Sequence, residues 1–179
     1  MPAAAPRVRL YGAACLRRRA AAAVADDPAT GALLDAMWAV LRQGGGVGLA
    51  APQVGRELRL VVVRNPRLPA ERQRLDLVNP VVVETFGPAE PFEEGCLSFP
   101  GLYVPVVRPR GVAVRYETAA GETRTLRDEG LVARIVQHEI DHLDGVLFID
   151  RLGRARRWSL LPRLLWLRLR GLGGRGGTT

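Results

Sequence analysis

The only two histidines of the chain stand four residues apart, in His138-Glu139-Ile140-Asp141-His142. On a helix that spacing sets both imidazoles on one face, within reach of a single ion. Glu139 then lies about 100° round the helix, beside the ion but not on it, where a carboxylate can take a proton from an activated water. The flanking residues predict a central helix, running from about Asp128 to Leu143. Leu131, Ile135, His138 and His142 fall within about 60° of one another, so the histidines continue an apolar stripe and point inward. Val132, Val136, Ile140 and Leu143 make a neighbouring apolar face, which leaves Arg134, Gln137 and Asp141 on a narrow polar strip. Any ion held there sits in a dry pocket. The bland alternative is a pair of hydrogen-bonded core histidines.

Two histidines do not complete a catalytic metal site, which usually takes three protein ligands and an open position. The best third ligand is Cys96, in Glu94-Gly95-Cys96-Leu97-Ser98. A thiolate there suits zinc or ferrous iron. The other cysteine, Cys15, lies in an arginine-rich stretch without ligand-like neighbours and reads as inert. Two cysteines cannot staple a secreted mini-domain, and they suit a reducing compartment. A third cluster is Gly46-Val47-Gly48-Leu49-Ala50-Ala51-Pro52-Gln53. It lacks the Lys and Ser/Thr of a phosphate-binding loop and follows a helix, not a strand. A small-residue loop that admits a substrate backbone, with Gln53 as amide donor, fits it better.

Around these clusters the chain reads as α+β. A first helix opens at Asp26-Asp27-Pro28, runs through Leu33, Leu34, Met37, Trp38 and Leu41, and stops at Gly44-Gly45-Gly46. Short strands follow at 58–63, 76–83, 102–107, 111–116 and 122–126, before the histidine helix. That order argues for short antiparallel or mixed sheets packed round one buried central helix, not an alternating parallel sheet. With 179 residues, 47% of them apolar, the chain supports one compact domain. No run is long and apolar enough for a membrane-spanning helix.

Three clusters in this order resemble peptide deformylase, whose signatures read Gly-x-Gly-Leu-Ala-Ala-x-Gln, Glu-Gly-Cys-Leu-Ser and Gln-x-Glu-x-x-His. They stand here as Gly46 to Gln53, Glu94 to Ser98 and Gln137 to His142, and the resemblance covers about residues 7–152. It implies a hydrolase of protein biosynthesis that removes the formyl group from N-formylmethionyl polypeptides and releases formate. Cys96, His138 and His142 would be the metal ligands and Glu139 the acid/base. Gln53 and the backbone N–H of Leu97 would hold the oxyanion. Val47, Gly48, Leu131 and Ile135 would line the methionine pocket, with Phe92 a weaker candidate. The ion would be Fe2+, with Zn2+, Ni2+ or Co2+ able to take the same place. One departure stands out: an acidic residue often precedes the first motif glycine, and here that position is Gly45. A salt bridge from there to a basic residue such as Arg108 is expected to be missing. Competing readings are a His-Glu-x-x-His metalloprotease, which Cys96 disfavours, and a non-catalytic ribosome-binding homologue.

The division expected is a catalytic domain over 1–152 and a basic tail over 153–179. Residues 1–150 carry 18 arginines against 18 acids, whereas 151–179 carry eight arginines and no acid. Trp158, Leu161, Leu165, Leu169 and Leu172 can share one helical face, opposite Arg156, Arg163 and Arg170. Pro162 either kinks this helix or starts it, and the glycines from Gly171 on read as a disordered end. A basic tail on a neutral body meets something anionic. Ribosomal RNA is the leading expectation and anionic lipid its rival; DNA is not expected. The basic, alanine-rich start could pass for a transit peptide, but it has no serine, so a bacterial-type cytoplasmic protein is expected over an imported one.

Overall fold

The structure is a computed structural model and describes residues 6–69 and 73–173, with side chains of 172 and 173 outside the description. Helix α1 (Pro28–Gly44) starts where Asp27 caps it, accepting the Ala29 N–H at 2.8 Å, with Pro28 in the first turn. Five strands follow: β1 (Gly48–Ala50), β2 (Leu60–Arg64), β3 (Arg74–Gly95), β4 (Tyr103–Glu117) and β5 (Thr123–Glu129). They pair antiparallel in the order β1-β2-β3-β4-β5, one sheet in chain order. Helix α2 (Leu131–Leu143) carries the histidines.

The sheet is covered on both faces around β2, and this is why the residues of β2 read as one apolar run. Val61 and Val63 face α2, packing with Ile135, Val136 and Ile140, while Leu60 and Val62 face α1, packing with Leu34, Met37 and Leu41. Alternate side chains of a strand point to opposite faces, so a strand buried on both sides loses its polar alternation. The architecture is the expected α+β arrangement around a buried histidine helix.

Several details differ from the sequence reading. The runs at 102–107 and 111–116 are one strand, β4, and the run at 76–83 is only the first half of β3. Helix α2 starts three residues later than Asp128, because β5 continues through Glu129 and Gly130 turns the chain at a φ of 73°. The segment 48–50, read as loop, is strand β1, paired with Val61–Val63. The strip of Arg134, Gln137 and Asp141 does not face solvent: all three are buried. Leu131, expected to point inward, is 43% exposed at the first turn of α2.

The tail forms helices α3 (Arg154–Ser159) and α4 (Leu161–Gly173), so Pro162 sits in the first turn of a new helix and helical structure extends past Gly171. The glycine-rich end from 174 lies outside the described residues. The face of α4 that packs is not the one on which Leu161, Leu165 and Leu169 align. Leu164 and Leu167 are buried against Phe99, Leu102 and Phe148, whereas Leu161, Leu165 and Leu169 are exposed. Leu164→Ala is therefore expected to cost about 2–3 kcal/mol, read as a lower urea midpoint at unchanged slope, while Leu165→Ala costs little.

Candidate active site

Helix α2 supplies His138 and His142 from one face, and the turn after β3 supplies Cys96. One ligand atom from each lies within 4.8 Å of the others. Cys96 Sγ is 3.3 Å from His142 Nε2. His138 turns Nδ1 to Glu94 Oε2 at 2.9 Å, which leaves Nε2 for the centre of the cluster. A carboxylate behind a ligating imidazole fixes the ring and raises its basicity. Both rings are buried, and Cys15 belongs to no such group among the described residues.

The electrostatics suit a cation. Burial holds His142 well below its ordinary range, so it is a neutral imidazole with a lone pair to give. Burial would depress His138 too, but the Cys96 sulfur and the Glu94 carboxylate draw positive charge to it and push it up to about 10. A soft thiolate, two imidazoles and a buried, negatively drawn space form a donor set that fits a divalent transition metal.

Glu139 lies beside this centre. Burial pushes its carboxyl up to about 7, against the lowering influence of His138, and its Oε2 is buried with no hydrogen-bond partner among the described residues. Gly48 holds it from the other side: a Cβ there would stand 2.6 Å from Glu139 Oε1 and 2.6 Å from Ile135 Cγ2. Gly48→Ala must therefore displace the carboxylate or the strand. A fall of about 100-fold in kcat with little loss of stability is expected, since small misplacements of a catalytic group cost about that much.

Gln53, in a turn of 3-10 helix after β1, is oriented by its own backbone. Its Oε1 accepts the Ala50 N–H at 2.7 Å, which sends Nε2 towards Cys96 Sγ and Ser98 Oγ, each 3.3 Å away. A cavity of about 490 Å³ opens in front of these groups. Val47, Gly48, Gln53, Leu97, Ile135 and Glu139 line it, with Leu131 and Phe92 towards its mouth. All the residues singled out from sequence thus meet round one cavity, except that His142 lies behind it, reached through Cys96.

The sequence reading missed what stands behind the ligands. Arg108, 1% exposed, grips Glu94 with two bonds of 2.7 and 3.0 Å and donates a third to Asp141 at 2.7 Å. Arg134 donates to Glu94 at 3.0 Å, and Arg151 to Asp141 at 2.6 Å. Burial would raise Glu94, but His138 and Arg108 hold it down at about 2. No salt bridge joins position 45 to Arg108, as expected for a glycine there; Glu94 and Asp141 are the acids that pair the arginine. Glu94 stood inside a recognised motif, and its carboxylate next to a ligand cysteine was the available signal.

Comparison with known proteins agrees with this geometry. The family model described as polypeptide deformylase matches residues 6–158. Peptide deformylase of Treponema pallidum (strain Nichols) is 39% identical over 161 residues, covering 90% of this chain and 96% of that protein. That of Thermotoga neapolitana is 41% identical over 159 residues, covering 89% and 94%. A plant peptide deformylase crystal structure superposes with a TM-score of 0.90 at 35% identity, over 100% of this chain and 97% of that one. A peptide deformylase from Synechococcus elongatus, solved in complex with actinonin, gives 0.80 at 34% identity, over 91% and 90%.

Proposed function

The chain belongs to the polypeptide deformylase family, and from that membership we propose how its residues share the chemistry. The protein is a metal-dependent hydrolase that takes the N-terminal formyl group from formylated nascent polypeptides. Cys96, His138 and His142 are the proposed ligands, and ferrous iron the proposed resident. The resemblance supports iron; the donor set itself accepts zinc, nickel or cobalt as well. When bound, the cation supplies Lewis acidity, which acidifies the attacking water and polarises the formyl carbonyl.

Glu139 accepts the water's proton and returns it to the departing amine, leaving formate and a free α-amino group. Its place beside the ligands, with one oxygen unpartnered, is the observation that carries this reading. Gln53 Nε2 and the Leu97 N–H hold the charge that develops on the formyl oxygen. Gln53 is suited to this because its amide is already locked by Ala50. Val47, Gly48, Leu131 and Ile135 receive the methionine side chain, and the half-exposed Leu131 closes the mouth of that pocket.

Formate release from formyl-Met-Ala-Ser, set beside cleavage of the unformylated peptide, tests the assignment. Formate without internal cleavage is expected; cleavage of the unformylated chain would turn the reading towards a metalloprotease, and neither product towards a non-catalytic homologue. Catalysis is assigned to residues 1–152, with 153–179 a basic appendage anchored through Leu164 and Leu167. No helix among the described residues is long and apolar enough to cross a membrane. The two free cysteines favour a reducing compartment, and the cytoplasm is proposed. Ribosomal RNA as a partner of the tail rests on its arginines alone, and phosphate contacts leave the tail's exposed apolar side chains unaccounted for.

A further inference from the structure

Helix α4 has two apolar faces, and only one meets the protein. Leu164 and Leu167 are buried in the core, and Gly171 lets the helix lie against the N-terminal segment, close to the Tyr11 carbonyl. At about 100° per residue, Leu161, Leu165, Leu169 and Trp166 fan over about 140° on the opposite side. Leu165 is 58% exposed and Leu169 67%; Trp158, just before on α3, is 69% exposed. Arg168 borders this fan on one side, Arg163 and Arg170 on the other. The Arg170 guanidinium lies over the Trp166 ring at 4.6 Å. No acid occurs after Asp150.

We propose that this outer face of α3 and α4 docks on an anionic phospholipid surface, leucines and tryptophans in the acyl boundary and arginines at the headgroups. The charge selects the occupant. A second copy would bring arginine borders against arginine borders with no acid to offset them. A nucleic acid would satisfy the arginines and leave the leucines in water. A bilayer of anionic lipid satisfies both, because arginine stems lie along apolar surface while their heads stay at the phosphates. Arg163 also donates to the Gly101 carbonyl, on the rim of the catalytic cavity, so the docking face and the cavity mouth are joined.

The test is cosedimentation of the full chain with phosphatidylglycerol vesicles and with phosphatidylcholine vesicles, together with tryptophan emission. Trp38 is buried, so a blue shift reports Trp158 and Trp166. Binding to the anionic vesicles with a blue shift is expected, at least about tenfold tighter than to the neutral ones. The double variant L165E/L169E should weaken it by about tenfold or more while keeping formate release, which shows that it is folded. Four results would overturn the proposal: no binding to phosphatidylglycerol at low salt; binding indifferent to L165E/L169E; binding to purified ribosomes instead, likewise indifferent; or lipid-free self-association that L165E/L169E abolishes.

Discussion

Glu139→Gln is expected to lower kcat for formyl-Met-Ala-Ser by about 1,000- to 10,000-fold, with KM, metal content and urea midpoint nearly unchanged. Glutamine fills the same buried space and can still pack against Gly48 and Ile135. It cannot take a proton from water and hand it on. The environment makes that role specific to this carboxyl: it is 4% exposed, one oxygen has no partner, and burial has moved its affinity for protons to about 7. A group poised there both accepts and releases a proton near neutrality at small cost. Each of the alternatives gives a different pattern. A carboxylate that only braced the ligands would lose metal when replaced, and one that only filled the core would shift the midpoint. Retained activity with retained metal would remove Glu139 from the reaction.

What could be read from sequence divides along a physical line. The ligand pair was legible because four residues on a helix is a local distance, set by backbone geometry alone. Helix α1 was legible for the same reason, through Asp27, Pro28 and the apolar period from Leu34 to Leu41. The extent of β3 and β4 was not. The far half of β3 is exposed almost throughout, so it shows no alternation, and Pro88, Pro91 and Pro109, which fall between the apolar runs, read as turns. In the sheet those prolines lie within the strands, Pro91 opposite Val107 and Pro109 opposite Ala89. The covered face of α4 was not legible because apolar side chains surround most of the helix. Periodicity shows that a face exists, but only tertiary contact decides which of two faces is covered. The ions behind the ligands were hidden for a related reason: Glu94, Arg108 and Asp141 come from three elements, and their pairing is a property of the fold.

That hidden network makes the second large effect. Glu94→Ala is expected to destabilise the metal-free protein by about 3–5 kcal/mol, because it strands Arg108, 1% exposed, and Arg134 without their shared carboxylate. It also frees the His138 ring to turn, since Nδ1 loses its acceptor, and should weaken metal binding by about 10- to 100-fold. The urea midpoint of the metal-free chain reads the first effect and metal competition reads the second, so the two can be separated. Glu94→Gln distinguishes charge from shape. It keeps an acceptor for the guanidinium but sets an NH2 against a donor, either His138 Nδ1–H or Arg108, so it should fall between alanine and the native residue in both measurements. Asp141→Asn provides the control. Asp141 also pairs Arg108, yet it touches neither ligand ring, so it should lose stability without losing metal affinity. Glu94 carries two duties: it neutralises a buried arginine and orients a ligand. Loss of metal without loss of stability in Glu94→Ala would show that the arginines find other partners and that only the second duty is real.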